Sequence, residues 1–242
     1  MRALFFPWGV LLQLIALVHF VRRRPESYWL WVIIFFGPLG AIVYLFAEMV
    51  PDLNLMSGSV KGFSRRRQIS RLRAIVLENP SAGNYEELGD LLLEEKKYAE
   101  ARDCYDRALS SRTDHIDPFY RRGIAAFEVG DAAAALPDLE RTVKSDPRYD
   151  YSRARLYYAR ALAAVGRNDE ALQVFQALVD GTGTTEALVY AAEFFTQHGR
   201  KDEARVLVER VAARKRTMPA YQKRRERPWL RRASMLKRKL TA

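Results

Sequence analysis

Apolar and polar positions follow two contrasting patterns along the chain. From Ala3 to Val21 there are 19 residues without Asp, Glu, Lys or Arg, and from Ser27 to Ala47 there are 21 more. Runs of this length can cross roughly 30 Å of hydrocarbon as α-helices. They predict two transmembrane helices, at about 3–21 and 28–47. The connection Arg22-Arg23-Arg24-Pro25-Glu26 is so short that the two must be antiparallel neighbours. Trp8, Tyr28, Trp29 and Trp31 lie near the ends, where amphipathic rings favour the headgroup level, and Pro38 predicts a kink. A cleaved signal peptide fits the first run less well, because no small-x-small site follows and a second apolar run comes at once.

Pro51 to Ser64 has little periodicity and reads as a tether. A basic helix from Arg65 to Glu78 follows, with Ile69, Leu72, Ile75 and Val76 on one side and Asn79-Pro80 as its stop. Residues 51–80 are therefore expected to be a linker and a basic juxtamembrane helix. From residue 82 the pattern becomes short amphipathic segments that repeat. An alanine in a helix after a charged turn recurs as Ala101, Ala135, Ala171 and Ala204, at intervals of 34, 36 and 33 residues. Four positions after each comes a bulky residue on the same face: Tyr105, Leu139, Phe175 and Val208. Preceding helices carry Gly89, Gly123, Ala159 and Ala192, which suit close helix crossings.

This spacing resembles the tetratricopeptide repeat (TPR), over four units at about 82–216. The resemblance implies an α-solenoid whose first helices line a concave, partner-binding surface. The signature tryptophan is replaced by Tyr85, Phe119, Arg155 and Leu188, and the third unit has a longer exit through Asp180-Gly181-Thr182-Gly183. The expected fold class is all-α: a two-helix transmembrane hairpin, an α-solenoid of about four TPR units, and a basic amphipathic helix at 217–242.

The N-terminal segment also resembles the membrane hairpin of cardiolipin synthases and related phospholipase D-like proteins. The matching features are the Arg22–Arg24 cluster, Trp29, Trp31, Pro38, Gly40, Tyr44 and Phe46. The resemblance implies an anchor. The enzymes of that family need an H-x-K-x4-D motif, and none of His19, His115 and His198 has a lysine two residues on.

Charge sharpens this picture. Residues 61–73 carry six basic and no acidic groups, residues 74–213 carry 18 basic and 25 acidic, and residues 214–242 carry 12 basic and one acidic. The net charge of +11 thus comes from two basic stretches flanking an acidic body. Loop charges favour both termini in the cytoplasm. The expected location is the plasma (inner) membrane, with two spans and a cytoplasmic TPR array.

By helical spacing, the concave surface should present Glu86 and Asp90, then Tyr120, Ile124 and Phe127, then Arg153, Tyr157 and Arg160, then Tyr190 and Glu193. TPR co-chaperones that grip a C-terminal carboxylate use Lys and Asn in the first unit; Glu86 and Asp90 there would repel one. The basic tail has Trp229, Leu230, Ala233, Leu236 and Leu240 on one face. Three readings of it stand: a cap on the last repeat, a contact with anionic lipid, or a contact with nucleic acid or the ribosome. The lipid or polyanion contacts would be Arg65, Arg66, Arg67, Arg231, Arg232, Lys237, Arg238 and Lys239.

Nothing in the chain points to catalysis, a cofactor or a metal. The histidines are scattered, Cys104 is the lone cysteine, and Gly181-Thr182-Gly183-Thr184 follows no strand that would make it a phosphate loop. The expected function is a membrane-anchored scaffold that recruits a protein through its groove. A tethered nucleic-acid or ribosome binder and an accessory subunit of a phospholipid-synthesis enzyme are the alternatives.

Overall fold

The structure, a computed structural model, describes residues 6–23, 27–45, 47, 55–110, 115–181 and 183–241, without the side chains of 6–8, 22–23, 55–64 and 241. The turn residues Arg24-Pro25-Glu26, the tether start Pro51–Asn54, the Trp8 side chain and Thr182 lie outside these. The chain forms two compact units, Met1–Ser70 and Arg71–Ala242.

In the first unit, α1 (Phe6–Arg23) precedes two eight-residue helices, α2 (Tyr28–Phe35) and α3 (Gly37–Tyr44). The second apolar run is not one helix. Phe36 leaves helical geometry at φ −94°, ψ 0°, and Gly37 takes φ +55°, a conformation that glycine adopts without a Cβ clash. Each half spans only about 12 Å at 1.5 Å per residue. The 18 residues of α1 include Gln13, His19 and a terminal Arg22-Arg23. Among the described residues, no helix is long and apolar enough to cross a membrane. The two-span plasma-membrane location expected from composition is therefore overturned, and the resemblance to the cardiolipin synthase hairpin is unsupported.

The small core of this unit is Ala16, Ile33, Ala41 and Tyr44, all fully buried. His19 Nδ1 lies 2.9 Å from the Tyr44 hydroxyl, and Gln13 Nε2 donates to the Ile33 carbonyl at 3.0 Å. Gln13, His19 and Tyr44 are thus paired within the unit, the buried Trp29 indole N–H has no partner among the described residues, and Val10, Leu14, Val18, Phe35 and Leu39 stay exposed.

Helix α4 (Leu55–Glu78) starts ten residues earlier than the pattern predicted, replacing most of the expected tether. Gly58 and Gly62 cost about 1 kcal/mol each relative to alanine, but no proline follows Pro51 to forbid the helix. Its last turns, from Arg71, belong to the second unit.

The second unit continues as helical hairpins: α5 (Ala82–Glu94) with α6 (Tyr98–Ser110), α7 (Asp117–Val129) with α8 (Ala132–Ser145), α9 (Tyr149–Ala164) with α10 (Asn168–Asp180), and α11 (Thr185–Gln197) with α12 (Lys201–Thr217). Side chains of Ser81, Asp131 and Thr184 accept from the backbone N–H three residues on, capping α5, α8 and α11. The repeated alanines 101, 135, 171 and 204 have no exposed surface, and Tyr105, Leu139, Phe175 and Val208 are buried beside them. Gly89 shows why the position must be small: a Cβ there would lie 2.9 Å from the Tyr105 ring, and one on Gly123 would lie 3.0 Å from Leu139 Cγ. Arg122 joins three helices, donating to both Asp138 oxygens at 2.7 and 2.8 Å and to Asp106 at 2.9 Å.

One feature was not anticipated. The first turn of α9 is left-handed, with Asp150, Tyr151 and Ser152 at φ 48°, 54° and 67°. The array ends in α13 (Ala220–Arg225) and α14 (Arg227–Thr241), and α14 buries Leu230, Ala233, Leu236 and Leu240 in the same core as α11 and α12. Arg205 secures it by donating twice to the Leu240 carbonyl, at 2.9 and 3.2 Å. Of the three readings of the tail, capping is the one its apolar face serves here.

Candidate functional site

The first helices α5, α7, α9 and α11 carry a continuous strip of interacting side chains. At its start Asp90 accepts from the Tyr105 hydroxyl at 2.6 Å and pairs with Arg121 at 3.0 Å. Burial and the neighbouring Asp90 charge raise the pKa of Glu86. Next comes a pocket of about 380 Å³ between α5, α7 and α9, walled by Leu93, Asp117, Tyr120, Arg121, Tyr149 and Arg153 among others. The Tyr120 hydroxyl donates to Asp150 at 2.6 Å, and the Tyr149 hydroxyl donates to Asp117. The two rings meet edge to face at 5.1 Å. Burial and the bonded carboxylate hold the Tyr120 phenol well above its ordinary range, so it stays a donor.

Beyond the pocket the strip becomes a ladder of rings and guanidinium groups. Arg160 lies over Phe127 at 4.6 Å, Tyr157 at 5.0 Å and Tyr190 at 4.2 Å. Arg232, from α14, covers the Tyr190 ring at 4.6 Å and Trp229 at 5.5 Å. Its guanidinium also grips Glu193 with two bonds of 2.5 and 2.6 Å. Such stacks hold planar cations on rings by 0.5–1 kcal/mol each when exposed and about 2 when desolvated. Burial pushes the Tyr157 phenol up to about 12, and its hydroxyl donates to Glu128 at 3.2 Å.

The predicted concave residues are thus placed along one strip, in differing roles. Glu86, Asp90, Phe127 and Arg160 are half-buried, and Arg153 is exposed. Tyr120, Ile124 and Tyr157 are only 5, 8 and 5% exposed, because each packs between neighbouring helices. Tyr190 and Glu193 are covered by the chain's own Trp229 and Arg232. Arg232, expected to meet a polyanion, is instead taken up by Glu193. Arg231, Lys237, Arg238 and Lys239 are on the exposed side of α14, while Arg65, Arg66 and Arg67 belong to the first unit. Asp117, Arg121, Glu128 and Asp150 were missed. The first three lie three or four residues from Tyr120, Asp117 and Ile124 respectively on one helix, so spacing alone could have found them.

Cys104 is buried and its thiol is pushed up to about 11, chiefly by desolvation, which suits a core residue. Among the described residues, no three His, Cys, Asp or Glu side chains gather as metal ligands.

Two tetratricopeptide-repeat family profiles match the chain, over residues 82–115 and 120–185. The chain carries tetratricopeptide repeats. Its TPR region is similar to human DnaJ homolog subfamily C member 3, at 31% identity over 98 residues. That match takes in 40% of this chain and 19% of the relative, and the Bos taurus protein matches equally. The chain therefore corresponds to about a fifth of the length of these relatives. Among solved structures, YrrB, a TPR protein with an unusual peptide-binding site, aligns at TM-score 0.54 and 24% identity, over 65% of this chain and 80% of its own. MamA from Desulfovibrio magneticus RS-1 aligns at TM-score 0.60 and 18% identity, over 69 and 94%. At these identities the TPR-like solenoid fold is what is shared.

Proposed function

We propose that this TPR protein is a scaffold that binds a segment of a partner protein along the concave strip from Glu86 to Phe127. The observation that carries the reading is the open pocket between α5, α7 and α9, with polar side chains on its walls and the ring–guanidinium ladder at its far side. Peptide binding is what the name of YrrB states for that protein, and it is carried over here as part of the proposal. Carboxylates outnumber cations along this face: Glu86, Asp90, Asp117, Glu128, Asp150 and Glu186 stand against Arg121, Arg153 and Arg160. A segment with lysine or arginine and an aromatic or aliphatic anchor is the complementary partner. The far end supports this chemistry, because the helix seated there, α14, enters through Trp229 and Arg232.

The test is fluorescence anisotropy of the full chain against immobilisation-free peptide pools of matched length, basic-aromatic against acidic-aromatic. The basic pool should bind at least tenfold more tightly, and Glu86→Lys with Asp117→Lys should abolish the difference. Equal binding of both pools, untouched by the double substitution, would remove the groove from consideration.

A further inference from the structure

The C-terminal part of the second unit holds a different concavity. Helices α12, α13 and α14 border an open pocket of about 380 Å³, lined by Lys215, Lys223, Arg224, Arg227 and Arg231 over the buried Leu230. Among the described residues no carboxylate borders it. The lone acidic residue of 214–242, Glu226, accepts from Gln222 Nε2 at 2.9 Å instead of pairing with any of the five. Among the described residues none of the five cations has a carboxylate within ion-pair distance. Elsewhere in the unit Arg121, Arg122, Arg160, Arg167, Arg200, Arg205 and Arg232 each meet an acid, and Arg141, Arg210 and Arg214 meet a ring or backbone carbonyls instead.

We propose that this pocket binds a small ligand carrying clustered phosphate groups. Five like charges around one concavity repel one another, and the low-dielectric wall behind them focuses their field outward. An anion with several charges relieves that repulsion at one point, whereas a lone carboxylate supplies one charge. Arginine forks fit phosphate oxygens with two parallel N–H donors, lysines add point charges, and the Ser234 hydroxyl at the rim adds a neutral donor. The volume is in the lower part of the range of small-ligand sites, about 300–1,000 Å³. A nucleic-acid strand would need a track of cations and stacking rings along several nucleotides; this pocket has five cations around one point and no aromatic wall.

The probes are sodium tripolyphosphate and inositol hexakisphosphate, with sodium sulfate and a 20-nucleotide oligothymidylate as comparisons, all at one fixed ionic strength. Calorimetric titration and thermal melting of the full chain read the outcome. Either polyphosphate should bind with one-to-one stoichiometry and raise Tm, and Arg224→Ser/Arg227→Ser should weaken binding at least tenfold and erase the Tm rise. These two side chains are exposed, so the variant should fold and melt no lower than the wild type without ligand. Lys223→Gln, a single change, should weaken binding less. Phe127→Ala in the concave strip should leave polyphosphate binding intact, which keeps this site separate from the scaffold reading. Undiminished binding by the double variant, or an equal Tm rise with sulfate, overturns the site. Tighter binding of the oligonucleotide than of either polyphosphate through the same residues overturns the small-ligand assignment.

Discussion

Replacing Arg160 with methionine tests whether the concave strip is held by charge or by shape. Methionine keeps a long apolar stem and removes the guanidinium. In the folded chain that group lies over Phe127, Tyr157 and Tyr190 at 4.6, 5.0 and 4.2 Å, and its side chain is only 18% exposed. A desolvated cation–π contact is worth up to about 2 kcal/mol, though three rings around one cation do not add in full. Glu128, 3.9 Å from Arg160, would keep the Tyr157 hydroxyl as its remaining partner. The expected loss is about 2–3 kcal/mol. For a unit of this size that lowers Tm by ~5–10 °C. Arg160→Lys keeps the charge and loses the planar stack, so it should fall about midway. Urea denaturation followed by circular dichroism gives both values. If methionine were as stable as arginine, the ladder would be ordinary apolar packing and the electrostatic account of the strip would fail.

Further outcomes follow from the same geometry. Gly89→Ala should destabilise by about 1–2 kcal/mol, because overpacking against the Tyr105 ring outweighs the helix-propensity gain; Gly83→Ala, with nothing within 4 Å, should stabilise by about 0.5–1 kcal/mol in the same denaturation assay. Cys104, with its thiol at about 11, should resist iodoacetamide at pH 7.5 in the native chain and react fully in urea; rapid native labelling by mass spectrometry would contradict its burial. Burial raises the pKa of Glu186, so its folded form binds a proton more readily than its unfolded form and its contribution to stability falls as pH rises through that window. Glu186→Gln should therefore be more stable than wild type at pH 7, with the gain vanishing below the ordinary carboxylate range; a gain unchanged at pH 3.5 would refute that origin.

How far the sequence alone could be read depended on whether a signal was periodic or compositional. The alanines at 101, 135, 171 and 204 recur with their bulky partners, and each pair marks a place where two helices must touch. Periodicity of that kind encodes contact directly, so the repeats and their small residues were legible. Apolar composition does not encode helix continuity. The run from Ser27 to Ala47 has no charge, yet its helix breaks at Phe36 and Gly37, a backbone event that hydropathy cannot register. The left-handed turn at Asp150–Ser152 escaped for the same reason: no glycine marks it, and nothing local demands it. Spacing grouped the strip's residues as positions on first helices but could not register their network. It put Tyr120, Tyr157, Arg160 and Tyr190 on the right helices, whereas which side chains meet, Tyr120 with Asp150, Tyr157 with Glu128 and Arg160 with Tyr190, is decided by neighbours in three dimensions.

The last helix changes what a truncation experiment can mean. Spacing along α14 predicted its apolar face, and the fold shows where that face goes: Leu230, Ala233, Leu236 and Leu240 close the core shared with α11 and α12. A solenoid's terminal repeat has no successor to cover it, so some element must do so. Here the cover also reaches into the concave strip, since Trp229 and Arg232 occupy Tyr190 and Glu193. Removing the chain after Arg216 would therefore do two things at once. It would bare apolar surface on the fourth hairpin, and it would open the end of the strip that the helix fills. A lost partner after such a truncation would not locate binding in the tail, and a gained partner would not locate it in the open groove. Arg232→Gln with Trp229→Ala separates the two, because it frees Tyr190 and Glu193 while leaving the four buried residues of α14 in place. On the proposed reading, the strip open to a partner then grows from three first helices to four, without the cost of an uncapped array.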